Sequence, residues 1–225
     1  MKPAAVVLDL DGLMIDTESI ARKAWQAAAV ELGYVIEDEL FSTFIGRRDP
    51  DCDAELLARF GDVFPIDAFR SKRNEVWRKL VEEHGIPPRP GLMELLAAVE
   101  NHMLPTAIAT SSFYDSAMFK LSAAGLAGRF SILVTGDQIV RGKPDPDIYL
   151  KAATHLGVAP DQCVALEDST AGVLAASRAG MITLLVPDDG AVPPQEAREA
   201  AYRVITSLHE AIPIIVELLG EIAPR

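Results

Sequence analysis

The sequence has few cysteines and histidines and fewer basic than acidic side chains. Its two cysteines, Cys52 and Cys163, lie far apart and neither belongs to a Cys-x-x-Cys pair, so redox and zinc motifs have no support. The four histidines are scattered along the 225 residues, which leaves a histidine-based site without support. With 33 Asp+Glu against 21 Lys+Arg, the net charge of −12 disfavours nucleic acid and anionic membranes as general partners.

Long apolar runs are also absent. No uncharged run approaches the roughly 18 residues that a bilayer-spanning helix needs. The apolar stretch at residues 4–8 is cut short by Asp9 and Asp11, so we predict no signal peptide and expect a cytoplasmic protein. Hydrophobic residues make up 49% of the chain and recur throughout it, which excludes intrinsic disorder and leaves a globular protein.

Short apolar runs of strand length alternate with stretches of helical periodicity. The runs are residues 5–8, 106–109, 132–134, 164–166 and 182–186, with a weaker one at 204–205. This alternation predicts an α/β fold with a doubly wound parallel sheet. Ligands of such sheets bind at the carboxyl ends of the strands, so we expect the chemistry directly after each run.

A helical segment interrupts this pattern between the first two strands. Helical stretches at residues 20–32, 54–60 and 68–84 are each followed by a glycine, a common helix terminator. The proline-rich residues 86–91 that come next suit a semi-rigid linker. The sequence therefore predicts a small helical cap, residues 17–87, inserted into an α/β core that residues 1–16 and 88–225 form.

Acidic pairs follow two of the predicted strands. Asp9 and Asp11 come after the first strand, and Glu167 and Asp168 come after the fourth. Alone, the first pair is more typical of an Asp-Gly turn, and the second suits a helix N-cap. Four carboxylates in one cleft would repel one another unless a hard cation such as Mg²⁺ bound there. The two pairs together therefore favour a magnesium site.

Hydroxyl groups follow the second predicted strand, and one lysine lies in the segment after the third. Thr110 and Ser111 precede a predicted helix whose N-terminus could hold an anion, although such residues are more often a turn and cap. Lys143 precedes Pro144, which restricts its backbone, although a loop lysine is usually solvated. With the acidic pairs, these groups suit phosphoryl transfer: cations offset substrate charge, donors hold the phosphoryl oxygens and a carboxylate attacks phosphorus.

Four motifs occur in a characteristic order along the chain. They are Asp9-x-Asp11-Gly12-x-x-x-Asp16-Thr17-Glu18, then Thr110-Ser111, then Lys143-Pro144-x-Pro146-Asp147, then Leu166-Glu167-Asp168-Ser169-x-x-Gly172. Together they resemble the haloacid dehalogenase superfamily, specifically its phosphatases and phosphomutases with a helical cap after the first motif. The resemblance covers residues 6 to about 187 and implies an α/β core, a cap and an aspartyl-phosphate intermediate.

The resemblance implies catalytic and phosphate-binding roles. Asp9 would be the nucleophile, and Asp11 would protonate the leaving oxygen and then activate water. Thr110, the Ser111 amide and Lys143 would hold the phosphoryl group. Because the dehalogenases proper lack the second carboxylate, the presence of Asp11 disfavours carbon–halogen hydrolysis.

The resemblance also implies a Mg²⁺ cofactor and its ligands. The carboxylates of Asp9 and Asp168 would bind the ion together with the backbone carbonyl of Asp11. Glu167 would help, either directly or through a water molecule.

The predicted cap carries candidates for recognition of the substrate body. These are Arg47 and Arg48, and Lys72 or Arg73, and each of them could equally be ordinary surface charge. The segment around Arg47 and Arg48 does not match the β-phosphoglucomutases closely, which favours hydrolysis over phosphoryl return to the substrate.

We therefore expect a Mg²⁺-dependent phosphatase whose partner is a small phosphorylated metabolite, either a sugar phosphate or a phosphoglycolate-like acid. One alternative is a sugar phosphomutase, which would use the same phospho-Asp9. Another is a phospho-aspartate switch domain, against which the cap and Asp11 argue. We expect no nucleic-acid or membrane partner and a monomer, with a dimer left open.

Overall fold

The computed structural model describes residues 2–44, 49–187 and 192–220. The chain divides into two compact units. The α/β unit comprises Met1–Asp16 with Pro87–Arg225, and the helical unit comprises Thr17–Ile86. Among the described residues, no helix has the length and apolar character needed to cross a membrane.

Within the described residues, six parallel strands form the sheet of the α/β unit, in the order β3-β2-β1-β4-β5-β6. They are β1 (Ala5–Leu8), β2 (Thr106–Ala109), β3 (Leu133–Val134), β4 (Cys163–Glu167), β5 (Ile182–Leu185) and β6 (Arg203–Val204). The predicted α/β fold is therefore confirmed, since every strand-like run of the sequence contributes a strand. The order reverses between β1 and β4, and ligands of doubly wound sheets bind at the carboxyl ends of such a pair.

The part of the helical unit that the structure describes, residues 17–44 and 49–86, contains four helices: α1 (Thr17–Glu31), α2 (Asp38–Ser42), α3 (Asp49–Phe60) and α4 (Ile66–His84). Aromatic rings pack together in its core, where the Trp25 ring centroid lies 4.9 Å from that of Phe44 and 5.4 Å from that of Phe69. Helix α2 was not predicted, because its five residues bury a single side chain, Phe41, and so show no periodicity.

The remaining helices cover the parallel sheet: α5 (Leu92–Asn101), α6 (Tyr114–Ala123), α7 (Asp147–Leu156), α8 (Thr170–Arg178), α9 (Gln195–Ala200) and α10 (Leu208–Leu218). Strands β1 and β4 are buried at every position, as expected of central strands with helices on both faces. Ala5, Val7 and Ala165 pack with Ile148 and Ala152 of α7 in one cluster of the core.

The proline-rich segment pairs with the segment that leaves β1. The amide of Asp16 donates to the carbonyl of Pro87 at 2.9 Å, and the amide of Arg89 donates to the carbonyl of Met14 at 2.9 Å. Ile15 and Pro88 form an antiparallel bridge between these bonds. The two connections between the units are therefore held side by side by backbone hydrogen bonds, close in sequence to the Asp9 to Gly12 motif.

Candidate active site

Buried polar side chains stand at the carboxyl ends of the neighbouring strands β2, β1 and β4. Asp9 directly follows β1, Thr110 directly follows β2, and Glu167 is the last residue of β4. All three are nearly inaccessible, with exposures of 6%, 1% and 0%. Burial of a polar group without a partner costs free energy, so each of them needs hydrogen bonds in this apolar sheet.

Lys143 binds both acids of this group, Asp9 and Glu167. Its Nζ donates to Asp9 Oδ1 at 2.5 Å, to Glu167 Oε1 at 2.5 Å and to the carbonyl of Ala109 at 3.1 Å. Burial opposes the charge on this lysine, but the carboxylates of Asp9 and Glu167 outweigh it and raise the pKa of Lys143. Lys143 is therefore a fixed cation at the strand ends, in a loop whose Lys143–Pro144 bond is cis.

Burial and the charge of Lys143 act in opposite directions on the pKa of the Asp9 carboxyl group. Burial, with the charges of Glu167 and Asp11 acting in the same direction and Lys143 opposing them, raises the pKa of Asp9 to about 7. A further positive charge beside Asp9 would favour its ionised form. The site thus has the electrostatic character of one that accepts a cation.

Glu167 accepts hydrogen bonds at both oxygens. Its Oε1 binds Lys143 and the Tyr149 hydroxyl, which donates at 2.5 Å. Its Oε2 accepts from the amide of Asp168 at 3.2 Å and from the amide and hydroxyl of Ser169 at 3.3 and 3.1 Å. Because a carboxylate offers about four lone-pair sites, these bonds occupy Glu167 fully.

Tyr149 is a site residue that the sequence motifs did not predict. It lies on α7 with its side chain fully buried, and burial raises the pKa of its hydroxyl well above the ordinary value, so the group is a neutral donor. The available signal was a tyrosine on the apolar face of the helix after Lys143, since a buried tyrosine hydroxyl usually finds a polar partner.

Asp11 lies in a second, separate set of hydrogen bonds. Lys120 Nζ donates to Asp11 Oδ1 at 2.6 Å, while Oδ2 accepts from the Ser112 hydroxyl at 2.8 Å and from the Thr110 hydroxyl at 3.3 Å. Lys120 also donates to the Ser112 hydroxyl at 2.9 Å. Lys120 was not predicted, because nothing in the spacing of a single helical lysine shows which strand end it reaches.

A group of acidic oxygens suits a hard cation. One oxygen each of Asp9, Glu167 and Asp168 lies within 4.8 Å of the others, although the Glu167 oxygens already accept hydrogen bonds. Gly12 makes room for this group, since a Cβ there would lie 2.0 Å from Asp168 Oδ2 and its φ of +83° favours glycine. A donor set made of oxygen alone fits Mg²⁺. The Asp11 carboxylate is not part of this group.

The loop after β2 packs closely against the backbone at Gly136. Ser111 is exposed, and a Cβ at Gly136 would lie 2.4 Å from its carbonyl oxygen. The amide of Gly136 donates to the carbonyl of Ser112 at 3.0 Å, which anchors the loop to the segment after β3. The structure therefore places Thr110, Ser111 and Ser112 after β2, where the hydroxyls of Thr110 and Ser112 reach Asp11 at the end of the neighbouring β1.

The candidates in the helical unit make local contacts. The Arg73 guanidinium lies 5.0 Å from the Trp25 ring centroid and donates to Asn74 Oδ1 at 3.2 and 3.3 Å. Lys72 pairs with Glu31 at 2.9 Å and with Glu75 at 3.2 Å. Arg47 and Arg48 lie outside the described residues.

The sequence matches one known family over most of its length. Residues 3–180 match the haloacid dehalogenase-like hydrolases, and the chain belongs to this family. The phosphorylated carbohydrates phosphatase of Thermotoga maritima is 31% identical over 177 residues, which are 79% of this chain and 82% of that protein. Hexitol phosphatase A of Escherichia coli is 31% identical over 196 residues, covering 83% and 84%.

A solved structure shows the same architecture. The haloacid dehalogenase family hydrolase from Deinococcus radiodurans, crystallised with bound phosphate and sodium, superposes with a TM-score of 0.82 at 30% identity and covers 99% of each chain. The predicted family, the α/β fold and the assignment to the hydrolases are confirmed by these similarities.

Proposed function

We propose that this chain is a Mg²⁺-dependent phosphatase that hydrolyses a small phosphomonoester through a phosphorylated Asp9. The observation that carries the proposal is the pairing of two acids with two lysines at adjoining strand ends. Asp9 is bound by Lys143 and Asp11 is bound by Lys120, each within hydrogen-bond distance. This arrangement supplies a nucleophile and a separate proton donor in one site.

The first half of the reaction transfers the phosphoryl group to Asp9. A carboxylate oxygen of Asp9 forms a bond to phosphorus while the bond from phosphorus to the substrate oxygen breaks. Asp11, in its protonated form, gives its proton to that leaving oxygen, so the alcohol departs neutral. Lys143 offsets the negative charge shared by the phosphoryl group and Asp9.

The second half releases phosphate. Asp11, now a carboxylate, takes a proton from a water molecule as the water oxygen bonds to phosphorus. The bond from phosphorus to Asp9 breaks, Asp9 is restored as a carboxylate and Asp11 is again protonated. The hydroxyl of Thr110 and the amide of Ser111 stand at the same strand end and would hold the phosphoryl oxygens through both steps.

The magnesium ion would be held by Asp9 and Asp168, with the backbone carbonyl of Asp11. When bound, it supplies positive charge to the phosphoryl oxygens and to Asp9. Glu167 would contribute indirectly, because its oxygens already accept bonds from Lys143, Tyr149 and the backbone. Its role in the proposal is to orient Lys143.

The helical unit would act as the cap that recognises the substrate body, with Arg73 and the arginines at 47 and 48 as candidate contacts. Relatives named for phosphorylated carbohydrates and hexitols support a sugar phosphate as the substrate class. The cap would exclude bulk water and admit the water that Asp11 activates.

Phosphate release from a panel of sugar phosphates, with and without Mg²⁺, tests the proposal. We expect Asp9→Asn to lower kcat at least about 10³-fold, because the amide is a poor nucleophile. The matched control is Asp161→Asn, which removes an exposed carboxylate of the same unit and should keep wild-type activity. An active Asp9→Asn enzyme would contradict the proposal, and an isomerised sugar phosphate without phosphate release would identify a mutase instead.

A further inference from the structure

Lys120 lies on α6, six residues after the first residue of the helix, Tyr114, and its side chain runs back to Ser112 in the loop after β2. Long side chains of a helix point toward its N-terminus, which gives Lys120 this reach. Its Nζ lies 2.6 Å from Asp11 Oδ1 and 2.9 Å from Ser112 Oγ. The side chain as a whole is 15% exposed, so most of its surface is withdrawn from water.

The carboxylate of Asp11 is held from two sides. Lys120 binds Oδ1, while the hydroxyls of Ser112 and Thr110 bind Oδ2. Rotation of the carboxylate would break a charge-assisted bond, which is stronger than a bond between neutral groups. The other lysine of the site, Lys143, binds Asp9 and Glu167. The two lysines therefore have different carboxylate partners.

We propose that Lys120 is a positioning residue that fixes the orientation of the Asp11 carboxylate for both proton transfers. This inference rests on the proposed function, in which Asp11 is the acid and then the base. General acid–base catalysis contributes about 10²–10⁴-fold, and a misplacement of about 1 Å can cost about 10²-fold. Without Lys120, Asp11 keeps its chemistry and loses its fixed orientation, so part of that contribution is lost.

Steady-state kinetics of Lys120→Met and Lys120→Arg test this role. Methionine keeps the apolar stem and removes the ammonium group, so we expect kcat to fall about 10–100-fold while KM changes less than about threefold. Arginine supplies a cationic donor again and should restore most of kcat. The matched control is Lys151→Met, which removes a part-buried lysine whose Nζ donates to the carbonyl of Gln138 at 2.8 Å. This control should keep wild-type kcat.

A double-mutant cycle separates positioning from a general structural effect. If Lys120 acts through Asp11, adding Lys120→Met to an Asp11→Asn enzyme should lower kcat by less than about twofold. The reason is that the group oriented by Lys120 no longer transfers protons in that enzyme. The same 10–100-fold loss in both backgrounds would overturn the proposal, as would a rise in KM with unchanged kcat. If Lys120→Met folds poorly, Ser112→Ala takes its place and should lower kcat in the same direction.

Failure of the proposed function would give a different result from failure of the positioning role of Lys120. The wild type would then release no phosphate from any monoester, whatever residue stands at position 120. In that case, crystal structures of the wild type and Lys120→Met decide the matter. A reoriented Asp11 carboxylate in the variant supports the positioning role, and an unchanged orientation overturns it.

Discussion

Lys143 is the side chain on which the buried charges of the α/β unit depend most. It lies between Asp9 and Glu167, with 2.5 Å to an oxygen of each, and all three groups are withdrawn from water. Buried ion pairs contribute little net stability compared with an apolar core, but removal of one partner leaves charge uncompensated. The lysine therefore serves stability as well as the proposed binding of phosphate.

Lys143→Met tests this double role. We expect the free energy of unfolding to fall by about 3–5 kcal/mol, because Asp9 and Glu167 would be left buried without their cation. Urea denaturation followed by circular dichroism measures the change. Adding Glu167→Gln to the variant removes one of the two unpaired charges and should recover part of the loss. Wild-type stability in Lys143→Met would contradict this interpretation.

Single residues also show how far the sequence could predict the site. Asp9, Thr110 and Glu167 could be found because each directly follows an apolar run, and Lys143 because it lies beside a proline in the loop after the third run. The carboxyl ends of parallel strands share one edge of the sheet, which brings these segments together. Lys120 could not be found in this way. Its contact depends on the direction of one long side chain on α6, which the sequence spacing does not encode.

At the scale of elements, the strands were predicted more closely than the helices. Each strand is a short apolar run bounded by polar residues, so its limits are visible in the sequence. Helix α3 begins at Asp49, five residues before the predicted start at residue 54, because its first turn is polar and lacks apolar periodicity. Tertiary packing decides such boundaries, and a single sequence does not display it.

The approach of α8 to β4 depends on a glycine. Gly172 lies in the first turn of α8, where Ser169 is the N-cap and accepts a hydrogen bond from the Gly172 amide at 3.1 Å. A Cβ at this position would lie 1.9 Å from the Glu167 carboxyl carbon. Glu167 is fully buried and held by several hydrogen bonds, so it has little freedom to move away.

Gly172→Ala should therefore destabilise the protein by about 1–3 kcal/mol, the usual cost of overpacking a buried site. Activity should fall as well, since displacement of Glu167 disturbs Lys143. The matched control is Gly142→Ala, because a Cβ at Gly142 meets no atom within 4 Å. We expect the control to change stability by less than about 0.5 kcal/mol. Equal unfolding midpoints in urea for the two variants would rule out the steric explanation.

At the scale of the whole molecule, the two units differ in the kinds of side chain that their cores bury. The α/β unit buries aliphatic strands and small helix residues, whereas the helical unit buries the aromatic cluster around Trp25 and Phe69.

The net charge of the whole chain bears on how an anionic substrate is attracted. In a chain with a net charge of −12, an anionic substrate needs local cations, and Lys143 stands with Lys120 at the strand ends to supply them.

The central claim is that Asp9 carries the phosphoryl group, and trapping that group tests it most directly. An aryl phosphate has a leaving group that needs little protonation, so an Asp11→Asn enzyme should still phosphorylate Asp9 but hydrolyse the product slowly. After rapid quenching, mass spectrometry should find the phosphoryl group on the peptide that contains Asp9, and borohydride reduction should convert residue 9 to homoserine. Phosphate release without any phosphorylated Asp9, or a phosphoryl group on another residue, would contradict the account.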